Sequence, residues 1–329
     1  MNFKQFIQEI KETVKEALGE KIVVEEKEVL KNNGVRLTGI VIVEGNANCV
    51  PNIYLNDYYK QYKNGRGIDD IVCEIFKFYE YHKIEKHMNM DFFSDYECVK
   101  SKLRFRLVNF ARNTELLTQI PYVPYLDLAI VFYCMVENEC IGNGSILIRN
   151  EHLEKWKISK EILKKDAFLS TQLKIIGEIK PMEDVIFEMI MRRMTLEIQN
   201  SARKHMDANI SISDDIVEPI VKEMMDNVYS EDKGPKMYVL SNESKTFGAS
   251  AILYQNLLSE FANKTQSDYY ILPSSIHEVI LIPIKEDDEL LRLKNMVYEV
   301  NRTEMETEEI LSDCVYIFKR SEGEIKIAL

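Results

Sequence analysis

No stretch of the chain approaches the roughly 18–20 uncharged apolar residues that a membrane-spanning helix requires. Its longest apolar runs, 126–136 and 279–284, have the length of strands. The first twenty residues, MNFKQFIQEIKETVKEALGE, contain no uninterrupted apolar region and no small-residue cleavage site, so a secretory signal is not expected. Phosphate-binding loops are missing as well. There is no GxxxxGK[ST], and Gly65-Arg66-Gly67 lacks the third glycine and the strand–turn–helix setting of a dinucleotide fingerprint. No GxSxG elbow, no HExxH and no HxE with a downstream PCxxC occurs, which removes three common hydrolytic chemistries.

Histidine is scarce, with five in 329 residues and none at ligand spacing. His82 and His87 lie five apart in a helical stretch, on different faces. No metal and no cofactor is expected. The six cysteines, Cys49, Cys73, Cys98, Cys134, Cys140 and Cys314, form no CxxC pair. Cys73 and Cys134 stand in apolar, core-like surroundings, and reduced thiols of a cytoplasmic protein are expected rather than a disulfide framework.

What the chain has is ordinary globular material: 46% hydrophobic and 29% charged residues, enough to bury a sizeable core. The length suits roughly two domains. A net charge of −12 disfavours non-specific binding to nucleic acid or anionic membranes.

Periodicity predicts an α+β fold. Apolar residues at helical spacing over 2–18 lie between a capping Asn2 and a terminating Gly19. Two β-branched runs, 21–30 and 35–43, flank Asn32-Asn33-Gly34, a hairpin signal because the turn demands positive φ. A short strand over 51–55 and a helix over 69–86 follow. The pattern then reads strand 104–109, helix 113–119, strands 126–137 and 139–148, and helix 159–175. Helices from 182 to 199 and from 214 follow, with a polar linker at 230–235. Beyond it the order is strand 237–240, helix 249–263, strands 269–272 and 278–284, helix 287–301 and strand 314–319. That βαββαβ order predicts a ferredoxin-like unit with helices on one face of an antiparallel sheet. The organisation expected is a hairpin-plus-helices region over 1–100, a βαββα unit followed by helices over 101–230, and the ferredoxin-like unit over 231–329. The similar order in 104–175 raises an internal duplication, testable by strand order.

Four segments can carry function. In PSSIHE, between two apolar strands, Ser274 or Ser275 with His277 and Glu278 supply the groups of a nucleophile, base and orienting residue. The same side chains serve as readily to satisfy turn backbone. Catalysis requires a deep pocket with a serine Oγ within about 3.2 Å, or one water, of a His277 nitrogen, with looser geometry allowed in the free protein; a binding surface formed by Pro273, Ser275 and His277 would be flat or shallow and have His277 engaged with backbone. Arg104 and Arg106 share a strand face beside Phe105, which suits a phosphate backbone or a plain solvated face; nucleic acid is the less favoured partner. Tyr58, Tyr59 and Tyr62 can line a ligand or partner surface, or belong to core. Met189, Met191, Met194, Met224 and Met225 suit an adaptable surface or ordinary packing.

The strings YILPSSIHEVILIP (270–283), YVLSN (238–242) and EVNRTEME with EEILSD (299–313) resemble an uncharacterised domain-of-unknown-function family abundant in gut Firmicutes. NNGVRLTGIVI, PNIYLNDYYKQYKNG and YLDLAIVFYCMV extend the likeness over most of the chain. The resemblance implies a bacterial cytoplasmic protein and implies no activity. Two functional readings follow: a non-enzymatic binding or regulatory module acting on a protein partner or small ligand, which is favoured, and a hydrolase-type enzyme using Ser274 or Ser275 with His277 and Glu278.

Overall fold

The computed structural model describes residues 1–19, 22–45, 50–83, 90–138, 142–206, 214–229, 236–273, 275–284 and 290–328. The chain forms two compact units, Met1–Lys174 with Thr307–Glu309, and Ile175–Glu306 with Ile310–Leu329. Helices and antiparallel sheets make it an α+β protein. No helix among the described residues is long and apolar enough to cross a membrane.

The first unit opens with α1 (Phe3–Leu18), where Asn2 and Gln5 form a reciprocal capping box and Gly19 closes the last turn. Strands β1 (Ile22–Leu30) and β2 (Arg36–Glu44) pair in a hairpin whose turn puts Asn33 and Gly34 at φ 57° and 73°. β3 (Asn52–Tyr54) adds to β2. Helices α2 (Asn56–Lys63) and α3 (Ile68–His82) cover this sheet with α1, and Phe6, Ile10, Ile40, Ile71 and Ile75 fill the space between.

A second sheet follows α4 (Tyr96–Lys100). Its strands are β4 (Leu103–Asn109), β5 (Tyr122–Tyr125), β6 (Leu128–Asn138) and β7 (Gly142–Leu147), with α5 (Thr114–Leu117) between β4 and β5. β4 lines one edge of β6, and β5 and β7 share the other. Helices α6 (Asn150–Trp156) and α7 (Lys160–Lys174) end the unit, α7 packing on β4 with Phe168 stacked on Phe105 at 4.3 Å.

In the second unit β8 (Gly177–Pro181) leads into α8 (Met182–Met206), which packs with α9 (Asp214–Tyr229). Then come β9 (Tyr238–Asn242), a 3-10 turn (Gly248–Leu253), α10 (Gln255–Thr265), β10 (Tyr269–Leu272), β11 (Val279–Pro283), α11 (Leu290–Thr303), β12 (Tyr316–Lys319) and β13 (Glu324–Ile327). The six strands form one antiparallel sheet in the order β13-β12-β10-β11-β9-β8.

This order corrects the ferredoxin-like expectation. The elements occur in the expected succession, but a ferredoxin-like sheet sets its fourth strand beside its first. Here β8, which helical periodicity on either side had hidden, occupies that edge of β9, and β12 sits beside β10. The consequence is physical. The crossovers β9–α10–β10 and β11–α11–β12 both step the same way along the sheet from strands that run in opposite directions. Right-handed crossovers then place their helices on opposite faces. Packing agrees: Leu293 and Val297 of α11 lie on Tyr270, Leu272 and Ile282, whereas Phe261 of α10 meets Tyr238 and Tyr269 from the other side. Helices therefore cover both faces, not one.

The duplication hypothesis fails the same test. Strands β4, β6 and β7 lie in sequence order, whereas β9, β10 and β11 lie in the order β9-β11-β10.

Candidate functional site

Cross-strand register sorts the second sheet's side chains by face, because residues directly opposite one another share a side. Over β10, β11 and β12, the face under α11 is apolar: Tyr270, Leu272, Ile282 and Val315 belong to one buried cluster. Followed across to β9 and β8, the same face changes character. Val239 lies opposite Lys180, and Ser241 opposite Glu178. Two of these four side chains are charged and one is a hydroxyl, at a place where a covered sheet ordinarily presents hydrophobic surface.

The helix above this region is α8. Its Val185, Glu188, Met189 and Arg192, at positions i, i+3, i+4 and i+7, form one stripe and line a cleft of about 250 Å³ together with those four sheet residues. Lys245 and Glu278 complete the lining. Lys180 bridges Glu188 at 2.8 Å and Glu178 at 3.5 Å, and Lys245 reaches Glu188 at 3.2 Å. Hydrogen bonds from Lys180, and then Lys245, hold the Glu188 carboxyl below the usual carboxylate range against the opposing effect of its partial burial. Among the described residues, Arg192 and Glu278 have no ion-pair partner, and both are exposed at the rim.

The depressed Glu188 gives a pH expectation. A carboxylate with a folded pKa below its unfolded value near ~4.3 stabilises the fold above that value, and the stabilisation is lost as pH falls through the folded pKa. Glu188→Gln should therefore flatten the acid-side decline in urea stability below about pH 4.3. Because Glu188 is 40% exposed, the change is small. An unchanged acid slope would show that the bridge contributes nothing to stability.

The loop after β9 is held in a strained form beside the cleft. Lys245 and Phe247 take positive φ of 51° and 53°, a conformation that costs ~1–3 kcal/mol each and requires support. Asn242 provides part of that support: its Nδ2 donates to Thr246 O at 3.0 Å, and its Oδ1 accepts from Ser244 Oγ at 2.9 Å. His277 provides another part. Its Nδ1 accepts from the Phe247 N–H at 3.3 Å, and its ring stacks on Phe247 with planes 13° apart. Ser241 Oγ donates to the His277 carbonyl at 2.9 Å, locking β9 to the same turn.

These contacts bear on the chemistry open to the PSSIHE turn. A neutral imidazole whose Nδ1 accepts an amide hydrogen carries its own proton on Nε2. Nδ1 is thereby engaged with backbone, as the binding reading expects. Ser275 is 8% exposed, and its Oγ accepts from the His277 backbone N–H at 3.0 Å. Pro273 is buried and its carbonyl accepts from Ser312 N, so among the turn's described residues the half-buried His277 and the exposed Glu278 are the accessible ones. Ser274 lies outside the described residues.

The other candidates are in the first unit. Tyr58, Tyr59 and Tyr62 pack against the core beneath α2, with Tyr59 and Tyr62 5.4 and 5.3 Å from Phe6. The Tyr59 hydroxyl donates to Met1 O, and burial raises the Tyr58 phenol above its ordinary range, with help from Glu74. Arg104 is not a solvated side chain. It is buried, and its Nη1 donates to Ser170 Oγ at 2.6 Å and to the Leu103 carbonyl at 2.7 Å. Arg106 is half-buried, and desolvation lowers its pKa.

Of the cysteines, Cys134 is buried, and desolvation pushes its thiol up to about 11, which makes it inert. Cys73 is exposed on α3, contrary to its apolar sequence context, and Cys98 is exposed as well. Cys49, Cys140, His87 and the linker at 230–235 lie outside the described residues. No group of three histidine, cysteine, aspartate or glutamate side chains among the described residues is placed to hold a metal ion.

Of the cleft lining, sequence reading singled out Glu278, as a candidate orienting group, and Met189, as part of an adaptable surface or ordinary packing. It missed Glu178, Lys180, Glu188, Arg192, Ser241 and Lys245. The available signals were the alternation of Glu178, Ile179 and Lys180 before Pro181, and a Glu188–Arg192 pair on the inward stripe of a helix.

Over residues 3–320 the chain matches the model of a family of unknown function, DUF5688, and it belongs to that family. No curated protein and no solved structure matches it.

Proposed function

We propose that this member of the DUF5688 family is a non-enzymatic binding or regulatory module of the bacterial cytoplasm, in the setting of a gut Firmicute, and that it holds a small ligand in the cleft under α8. The observation that carries the reading is the change of character along one sheet face. Where α11 covers the sheet the surface is apolar, and where α8 covers it Glu178, Lys180 and Ser241 face a cleft of about 250 Å³. Polar groups under a helix forgo apolar packing and must be satisfied, and a convergence of polar groups around an apolar lining is the general form of a ligand site. Nucleic acid is a poor partner for a chain of net charge −12 whose Arg104 is committed to internal bonds. The engagement of His277 Nδ1 with the Phe247 backbone favours the binding reading of the PSSIHE turn over hydrolysis.

The test uses Met189, which lines the cleft and is 63% exposed, so that a larger side chain there leaves the core intact. A thermal-shift screen of the full chain against pools of amino acids, organic acids, sugars and nucleotides should find stabilising pools. Met189→Trp should retain the melting temperature of the free protein and lose the ligand-induced rise. A rise that survives Met189→Trp would move the site elsewhere, and no rise with any pool would remove the small-ligand reading.

A further inference from the structure

The charges around the cleft are unequally engaged. Lys180, Lys245, Glu178 and Glu188 satisfy one another in a chain of ion pairs. One cation and one anion remain without an ion-pair partner among the described residues, Arg192 from α8 and Glu278 from the turn before β11. The lining also has an apolar component in Val185, Met189 and Val239. We infer that the cleft takes one zwitterionic amino acid with an aliphatic or thioether side chain, its carboxylate on Arg192 and its ammonium on Glu278. The inference rests on the small-ligand reading above and narrows it.

Each alternative ligand class meets an obstacle. A dicarboxylate brings like charge to Glu278, and a diamine brings like charge to Arg192; either desolvates a charge without a partner. A phosphate ester calls for several converging cations, whereas Lys180 and Lys245 are already held by Glu188. Size argues the same way. The volume of about 250 Å³ lies below the about 300–1,000 Å³ of sites for drug-sized ligands. A guanidinium matches a carboxylate with two parallel hydrogen bonds, and a carboxylate accepts readily from an ammonium, so a zwitterion with an apolar side chain uses every unspent group.

Isothermal titration calorimetry of the full chain tests this with leucine, methionine and valine, and with two truncated probes on the leucine skeleton. These are 4-methylpentanoate, which lacks the amine, and 3-methylbutylamine, which lacks the carboxylate. At least one of the three amino acids should bind, and on the leucine skeleton each truncated probe should bind about tenfold more weakly or worse. Arg192→Gln should weaken the amino acid about tenfold and leave 3-methylbutylamine unchanged. Glu278→Gln should weaken the amino acid similarly and leave 4-methylpentanoate unchanged. Both side chains are exposed, so neither change threatens folding. The inference is overturned if none of the three amino acids binds, or if the truncated probes bind as tightly as leucine. If amino acids fail while another pool still gives a rise that Met189→Trp abolishes, the zwitterion is wrong and the small-ligand reading stands. If no compound acts through Met189, both fall.

Discussion

Gly248→Ala should lower the urea stability of the chain by about 1–3 kcal/mol and disturb the cleft wall, although it adds one methyl group. A Cβ built on Gly248 would lie 2.2 Å from Ser241 Oγ, 2.5 Å from the His277 carbonyl oxygen and 2.8 Å from the Asn242 amide nitrogen. Two of the three are backbone atoms held by the sheet and the turn, so they cannot swing aside. The third is the hydroxyl that ties β9 to His277. The first turn after the strained loop therefore docks only through a residue with no side chain.

Two other glycines calibrate the effect. At Gly177 the added carbon meets Leu257 Cδ2 and Tyr254 Cδ2, each at 2.9 Å, which are side-chain rather than backbone atoms; a smaller loss is expected. At Gly144 the nearest atom is 3.9 Å away, and stability should stay within about 0.5 kcal/mol. Equal effects at Gly248 and Gly144 would mean that the loop does not seat on Ser241 and His277 as described.

Tyr269→Ala should cost about 3–5 kcal/mol, the range for emptying a large aromatic site in a core. The ring is fully buried on the face under α10, 4.9 Å from Phe318 and 5.2 Å from Phe261, and its hydroxyl donates to Leu258 O at 3.2 Å. Tyr269→Phe keeps the packing and removes the hydroxyl, so about 1 kcal/mol is expected. Burial also raises the Tyr269 phenol far above its ordinary range. A folded pKa raised above the unfolded value near ~10 gives stability that is complete below that pH and declines as pH rises past it. Tyr269→Phe should flatten part of that alkaline decline. A loss near 1 kcal/mol for Tyr269→Ala would contradict the two-faced sheet, because an edge or surface tyrosine behaves in that way.

Local signals in the sequence carried as far as local chemistry decides structure. Asn2 and Gly19 bound α1 because a side-chain acceptor and a residue free to take positive φ are needed at those ends. Asn33-Gly34 makes the first hairpin for the same backbone reason. The strands that escaped notice are β5, in which Pro124 interrupts the run, β8, five residues ending in Pro181 between two helical patterns, and the short final β13. Missing β8 was decisive. With the edge of β9 apparently open, the familiar four-strand order followed; with it filled, β12 pairs with β10 and the helices divide between the faces.

The cleft was nearly illegible for a related reason. Its lining comes from four separated segments, 178–180, 185–192, 239–245 and 278, and only register aligns Glu178 with Ser241 and Lys180 with Val239. The PSSIHE turn stood out by composition. Its histidine and Ser275 hold backbone in place, while Glu278 reaches the cleft. Arg104 misled in the opposite sense: alternation cannot distinguish a solvated arginine from one whose donors are taken up by Ser170 and nearby carbonyls.

The central claim is that the space between α8 and the polar end of the sheet is a ligand site. Methyl-resolved NMR of the full chain tests it directly, by following Val185, Met189 and Val239 while the amino-acid, organic-acid, sugar and nucleotide pools are titrated. The prediction is a saturable shift of those three methyl-bearing residues with at least one pool, while Leu293 and Val297 of α11 stay still. No movement at Val185, Met189 and Val239 with any pool, or saturable shifts confined to other methyl groups, would contradict it.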